Sequence, residues 1–289
     1  TVTAEAQSGN PRPRVFRMAP HRALLNKMGF PNAGADAVAE RMHRRSGRVV
    51  VGVNVGKSRK ASLAQAGDDY RAAVRKLAPL ADYIAINVSS PNTPGLRQLQ
   101  AVDVLGPLVA DVRSELDAVG VDVPLLIKIG PDSDDAHIDA IAEMAIGLSL
   151  DGIVCVNTTE ERGELNAIYA NIATVQGGGV SGAPLKTRAL EVLERLYAKA
   201  GKSLVLISVG GIGSPEDAWQ RILAGATLVQ AYTGFVYGGP GWPSHVNRVL
   251  AQKVRDSGKS SIQELIGAGA SWSGGVRAQA SGLPVRRQS

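Results

Sequence analysis

Two hydrophobic periods alternate along the chain. Short apolar runs rich in β-branched residues recur at Val49–Val55, Tyr83–Val88, Pro124–Ile129, Gly152–Val156, Ser203–Val209 and Thr227–Tyr232. Runs of this length, closed by Gly, Pro or Asn, read as strands buried on both faces, the habit of a parallel sheet. Between them apolar residues repeat at three and four, as in Leu105, Leu108, Val109, Val112 and Leu116, then Leu190, Leu193, Leu196 and Tyr197. That spacing paints one face of a helix. Val38 and Met42 predict a further helix over Ala35–Ser46 with Gly47 as its C-cap. Ser214-Pro215-Glu216-Asp217 opens another, with an N-cap, a proline at the first position and acids in the first turn.

Six strand–helix units in succession predict an α/β fold with a parallel sheet, and their number favours a closed (β/α)8 TIM-type barrel over a doubly wound sheet. Six is two short of eight, and the chain opens mid-pattern. The expectation is therefore a barrel truncated at its N-terminus, with Thr1–Met18 the end of a strand followed by a proline-rich excursion. One domain spans 1–273. Gly274–Ser289 combines Gly, Ser, Gln and Arg without apolar periodicity and reads as a disordered tail.

Barrel chemistry gathers at the C-terminal ends of the strands. Those ends read Asn54, Asn87 with Ser90, Lys128, Asn157 with Thr158, Gly210-Gly211 and Tyr232-Thr233-Gly234. Tyr83–Val88 runs into S-S-P-N-T-P-G, a proline-stiffened turn that brings Asn87, Ser90 and Asn92 to one rim. Amides flanking a hydroxyl suit a planar polar ligand held beside a proton acceptor; a solvated loop after a core strand is the plain alternative. Lys128, in L-L-I-K-I-G-P, is costly to bury unless it meets an anion or an electron-rich ring, and no acid stands near it in its own strand. Gly177–Gly182, Val209–Ser214 and Tyr232–Gly234 offer backbone N–H groups. The second cluster leads into the capped helix, as a phosphate cradle would, although tight turns would use glycine too.

Composition narrows the field. With 289 residues and 44% apolar content one large core is affordable, and no run approaches the roughly 20 apolar residues of a membrane span. The single cysteine, Cys155, lies in a strand pattern. It excludes an internal disulfide framework or a cysteine-based metal site and fits a reducing, cytoplasmic compartment; no metal is expected. The net charge of +6 is uneven: Thr1–Lys60 holds twelve Lys/Arg against three Asp/Glu. A basic face of this kind attracts phosphates or an anionic membrane surface. No aromatic platform is interleaved with it, so a nucleic-acid partner is not expected.

The motifs N-K-M-G-F (Asn26–Phe30), V-N-V-G-K (Val53–Lys57), I-N-V-S-S-P-N-T-P-G-L-R (Ile86–Arg97) and K-I-G-P (Lys128–Pro131) are followed by N-T-T (Asn157–Thr159), G-V-S-G-A-P-L (Gly179–Leu185), S-V-G-G-I (Ser208–Ile212) and Y-T-G-F (Tyr232–Phe235). In order and spacing they resemble the dihydroorotate dehydrogenases over Thr1–Gly239, on the class 2, quinone-reducing branch; class 1 relatives carry cysteine where Ser90 stands. The resemblance implies an FMN-dependent oxidation of dihydroorotate to orotate in pyrimidine synthesis. Ser90 would be the base that takes the C5 proton while a hydride leaves C6, with Thr93 and water relaying the proton, and Lys128 would stabilise charge on the reduced flavin. It assigns Asn26, Lys27, Met28, Gly29, Phe30, Asn87, Asn92, Asn157 and Thr158 to the substrate. FMN falls to Thr1, Asn54, Asn87, Lys128, Val156, Gly182, Gly211, Tyr232 and Thr233, the glycines and Tyr232-Thr233 serving its phosphate. The family's first strand, and the N-terminal helical segment that admits a membrane quinone and docks peripherally on the cytoplasmic side, would precede Thr1. The alternatives are another FMN barrel reductase, of dihydropyrimidine or dihydrouridine type, or an inactive fragment with an open barrel edge. The Ser90 loop and the lack of an RNA-binding module weigh against the former.

Overall fold

The computed structural model describes residues 1–46 and 49–270. In chain order the elements begin with strands β1 (Val15–Met18) and β2 (Ala23–Asn26), helix α1 (Gly34–His43), β3 (Gly52–Gly56), α2 (Ala66–Leu77), β4 (Tyr83–Asn87) and α3 (Val102–Ala118). They continue with β5 (Leu125–Ile129), α4 (Asp135–Gly147), β6 (Gly152–Cys155), the single turns α5 (Leu165–Ile168) and α6 (Ala170–Ala173), and β7 (Gly179–Gly182). Last come α7 (Lys186–Ala200), β8 (Val205–Val209), α8 (Pro215–Leu223), β9 (Leu228–Gln230), α9 (Thr233–Gly238) and α10 (Trp242–Asp256).

Six strands, in the order β3-β4-β5-β6-β8-β9, form one curled parallel sheet with helices between successive strands, an α/β barrel architecture of TIM type. Val2 extends it by one parallel bridge beside β3, donating to the Asn54 carbonyl at 2.8 Å and accepting from Gly56 N–H at 3.0 Å, so Thr1–Thr3 does behave as a strand end. The two faces of the sheet bury different sets. Val53, Ile84, Ile86, Leu125, Ile127, Ile153 and Leu206 pack against the helices, while Ala85, Leu126, Val154 and Ile207 fill the barrel interior. This two-sided burial explains the near-continuous apolar runs of the sequence.

All six expected strands form, with shifted ends. The first ladder starts at Gly52, not Val49, because its partner β4 starts at Tyr83; Val49 and Val50 have no strand to pair with and are each 72% exposed. The helix predicted over Ala35–Ser46 runs from Gly34 to His43 and is capped at Arg44, while Gly47, the expected cap, lies outside the described residues. The expected tail, Gly274–Ser289, lies outside them as well.

A second sheet is the feature the periodicity did not show. β1, β2 and β7 form an antiparallel three-stranded sheet, with Val15 opposite Asn26 and Ala23 opposite Gly182. Its own small core is Met18, Ala23, Leu25, Leu165, Ile172 and Val180. Thr1–Met18 is thus more than an excursion, since its second half is a strand. The Gly177–Gly182 cluster is only in part an open set of N–H donors, because Gly179–Gly182 spends its backbone on β2. Strands of four residues, joined by a 3₁₀ turn in place of a glycine hairpin turn, leave too short an alternation to read.

Candidate active site

Alternation along the parallel strands decides which side chains enter the barrel. Leu125, Ile127 and Ile129 face the helices, so Leu126 and Lys128 face inward; Ile84 and Ile86 do the same for Ala85 and Asn87. Each inward pair is apolar below and polar above. Ala85, Leu126 and Val154 form a floor, and Asn54, Asn87 and Lys128 stand around it at the strand ends.

These groups open into a cavity of about 310 Å³. Its walls include Thr1, Asn54, Asn87 and Lys128 from the sheet, Ser90, Asn92, Asn157 and Thr158 from the loops, and Asn26, Met28, Gly29 and Phe30 from the segment after β2. Gly52, Tyr83, Ala85, Val154 and Gln230 also line it, and the sequence did not single them out. Inward parity with Asn54 and Asn87 was the available signal for Gly52, Tyr83 and Ala85.

The asparagines hold one another. Asn87 Nδ2 donates to Thr1 Oγ1 (3.0 Å) and Asn54 Oδ1 (3.2 Å), and its Oδ1 accepts from the Ser89 hydroxyl (3.2 Å). Asn157 Nδ2 donates to Ser89 Oγ at 3.0 Å, and Asn92 Nδ2 to Asn26 Oδ1 at 3.0 Å. Ser89, fully buried, is therefore the hinge of the network; its parity with Asn87 was the clue that it too points inward. Tyr70 pins the strand from behind through its hydroxyl, 2.7 Å from the Asn87 carbonyl. Arg97 fastens the outer loops, bonding Asp132 (2.9 Å), Glu160 (2.6 Å) and the Thr158 carbonyl (3.3 Å).

Several polar atoms remain open. Among the described residues Ser90 Oγ accepts only the Asn92 N–H, at 3.2 Å, while Asn92 Oδ1 and Thr158 Oγ1 are buried without partners. Lys128 has no hydrogen bond or ion pair among the described residues, and burial lowers its pKa to about 8. Orphaned donors, acceptors and a desolvated cation in one cavity fit a planar ligand rich in carbonyl and imide groups, with anionic character near Lys128.

Other expected residues lie apart from the cavity. Lys27 turns away, its Nζ 2.9 Å from the Gln176 carbonyl; Thr93 is buried, and no hydrogen bond joins it to Ser90. Val156 is buried and gives its N–H to the Val209 carbonyl. Gly182, Gly211 and Thr233 meet at the rim beyond Gln230. Ser181 and Thr233 hydroxyls are 2.8 Å apart, a Cβ at Gly182 would lie 2.9 Å from Thr233 Cγ2, and one at Gly234 would lie 2.3 Å from the Ile212 carbonyl. Tyr232 beside them is 74% exposed. The N–H groups of Gly211 and Ile212 have no partner among the described residues, so this rim fits a phosphate. With the open cavity beneath it, the donor set fits a flavin mononucleotide.

Comparison with known proteins gives one answer. Residues 1–254 match the family model described as Dihydroorotate dehydrogenase. A Corynebacterium efficiens protein named "Dihydroorotate dehydrogenase (quinone)" is 52% identical over 272 residues, 94% of this chain and 71% of its own length. A protein of the same name from Thermobifida fusca is 53% identical over 272 residues, 92% of this chain and 72% of its own. The crystal structure of the Eimeria tenella enzyme in complex with ferulenol superimposes with a TM-score of 0.85 at 36% identity, covering 92% of this chain and 77% of that one.

Proposed function

The chain belongs to the dihydroorotate dehydrogenase family, and from that premise we propose how its own residues oxidise dihydroorotate to orotate for a quinone acceptor in pyrimidine biosynthesis. The observation that carries the assignment of roles is the Ser90 hydroxyl, buried in a cavity ringed by Asn26, Asn87, Asn92 and Asn157, whose lining also includes Lys128, unpaired among the described residues.

The asparagine ring supplies both donors and acceptors, so it reads the imide and carboxylate of the substrate edge and fixes the ring in one orientation. Asn92 Oδ1 and Thr158 Oγ1, unpartnered among the described residues, gain partners when substrate binds. Ser90 takes the C5 proton. Alone it is a weak base, so Thr93 and water carry that proton outward. Flavin mononucleotide, if held here, would supply the acceptor for the C6 hydride and the link to quinone. Lys128 faces the developing negative charge; its low pKa in the free protein rises again when an anion sits beside it. Gly182, Gly211 and Thr233 would hold the flavin phosphate.

A membrane-held quinone implies a surface that meets lipid. Exposed Phe235 and half-buried Tyr237 share α9, and Arg17 and Arg22 each lie 5.5 Å from the Tyr237 ring; basic and aromatic groups together suit peripheral binding on the anionic cytoplasmic leaflet. Among the described residues no helix is long and apolar enough to cross a membrane. The test is anaerobic mixing with dihydroorotate: a yellow protein that bleaches and is reoxidised by a short-chain quinone supports the reading. A flavin that stays oxidised refutes it.

A further inference from the structure

α8 shapes the loop after β8 from both of its ends. Asp217, in the first turn, accepts the N–H groups of Gly213 and Ser214, each at 3.0 Å. Arg221, one turn on, donates through Nη2 to the carbonyls of Gly210 (3.0 Å) and Lys186 (2.7 Å). Between these anchors stand Gly211 and Ile212, whose N–H groups have no partner among the described residues. A loop tied by a carbonyl on one side and by N–H groups on the other holds its two free donors in a fixed place, as anion binding requires. The close packing leaves no slack: a Cβ at Gly211 would come within 2.3 Å of Lys186 Cα.

The charge of Arg221 is as unusual as its position. It is 1% exposed, and among the described residues its Nη1 is buried without a partner and no carboxylate bonds to it, since Asp217 pairs with Lys186. Cys155, Asp217 and Glu194 are the ionisable groups that face it, and burial nonetheless pushes the guanidinium below its ordinary range. A buried cation without an ion partner weakens the free protein unless something else uses the charge.

We propose that Arg221 is a positioning residue for an anion-binding loop: it fixes Gly210 so that the Gly211 and Ile212 N–H groups receive a phosphate monoester, and its buried charge strengthens the hold on that dianion. This rests on the reading that the flavin phosphate seats at the glycine rim. The role differs from packing because it acts on the phosphate alone and leaves the ring system untouched.

Riboflavin, which lacks the phosphate, separates the two. Flavin is stripped from the full chain, and dissociation constants for FMN and riboflavin are measured by fluorescence quenching for the parent, Arg221→Gln and Arg221→Lys. Glutamine removes the charge and, two bonds shorter, the reach of Nη2 to the Gly210 carbonyl; lysine keeps the charge and most of the reach. Arg221→Gln is expected to weaken FMN by about tenfold or more and riboflavin by less than about twofold, with Arg221→Lys near the parent. Equal loss of both ligands, or no loss of either, overturns the proposal. A parent that holds riboflavin as tightly as FMN instead refutes the phosphate assignment of the rim, and Arg221 falls with it. Should Arg221→Gln not fold, Arg221→Lys decides: a kept preference for FMN supports the role, and a lost one overturns it.

Discussion

The helix-facing shell of this barrel and its C-terminal rim follow opposite rules. In the shell, Leu125, Ile127 and Ile129 are fully buried among other apolar side chains, and several charges on α2, α3, α4 and α7 are paired: Arg75 with Glu115 at 2.6 Å, Arg195 with Asp139 at 2.6 Å, Lys199 with Glu143 at 3.0 Å. At the rim Lys128, Asn92 Oδ1, Thr158 Oγ1 and Arg221 Nη1 have no partners among the described residues. Buried polar groups are normally satisfied, so a concentration of exceptions at one end marks where a ligand completes the structure. The shell holds the fold, and the rim spends some of that stability on readiness. Ser208 Oγ breaks the rule, being buried on the helix-facing side without a partner among the described residues; nothing in the structure explains it.

The largest expected effect is at the rim. Ser90→Ala should slow flavin reduction by dihydroorotate by about 10²–10⁴-fold in stopped flow, while flavin content and orotate affinity stay near the parent's. The Asn92 N–H loses its acceptor, a modest cost that a thermal midpoint will register. Ser90→Cys should recover part of the rate at high pH, where the thiol ionises. An alanine variant that reduces its flavin at the parent rate removes Ser90 from the chemistry.

Next comes the shell. Ile127→Ala empties a fully buried position between sheet and helices and should cost about 2–5 kcal/mol in denaturant unfolding. Rates per folded, flavin-loaded molecule should stay close to the parent's. A variant with normal stability but slowed flavin reduction would erase the distinction between the two faces.

How much of this was legible follows from the same contrast. Parallel strands buried on both sides write continuous apolar runs, so all six were found, and the polar residues that interrupt their ends, Asn54, Asn87 and Lys128, stood out against that background. The three-stranded rim sheet escaped because V-F-R-M and A-L-L-N are too short to show a period, and their partner G-V-S-G looks like a loop. Ser89 was overshadowed by Ser90, though its parity with Asn87 pointed inward. Arg97, Asp132 and Arg221 act through contacts of 27 residues in sequence or more, or through backbone carbonyls, and no local pattern encodes those.

Lys128 puts the contrast on a pH axis. Its folded pKa of about 8 lies below the ordinary lysine value, so burying the charge destabilises the flavin-free protein below pH 8, and that cost fades as pH rises toward 10.5. Flavin-free protein should gain roughly 2 kcal/mol across that window, less than the full shift implies because the side chain is not wholly buried. Lys128→Met should flatten this dependence, stabilise the flavin-free protein at pH 7 and slow flavin reduction. A parent whose stability falls from pH 8 to 10 in the flavin-free state, with Lys128→Met falling in parallel, would show that the lysine is not the desolvated group.

The smallest expected effect tests whether the loops of the rim need one another. Arg97 ends the S-S-P-N-T-P-G-L-R segment, and its guanidinium reaches Asp132 after β5 and both Glu160 and the Thr158 carbonyl after β6. Asp132 in turn accepts from the Thr159 hydroxyl (2.5 Å) and the Glu160 N–H (3.0 Å), so one ion pair registers the loop bearing Ser90 against the loop bearing Asn157 and Thr158. Lysine can keep the charge but cannot span three acceptors with a planar fork. Arg97→Lys is therefore expected to raise the KM for dihydroorotate by about tenfold with kcat within about threefold, because substrate contacts drift while Ser90 stays in place. Asp132→Asn should do the same, and the double variant should be no worse than either single one, as coupled partners require. Independent, additive losses would mean that each residue merely supports its own loop, and the rim would then be a set of separate sites rather than one assembled ring.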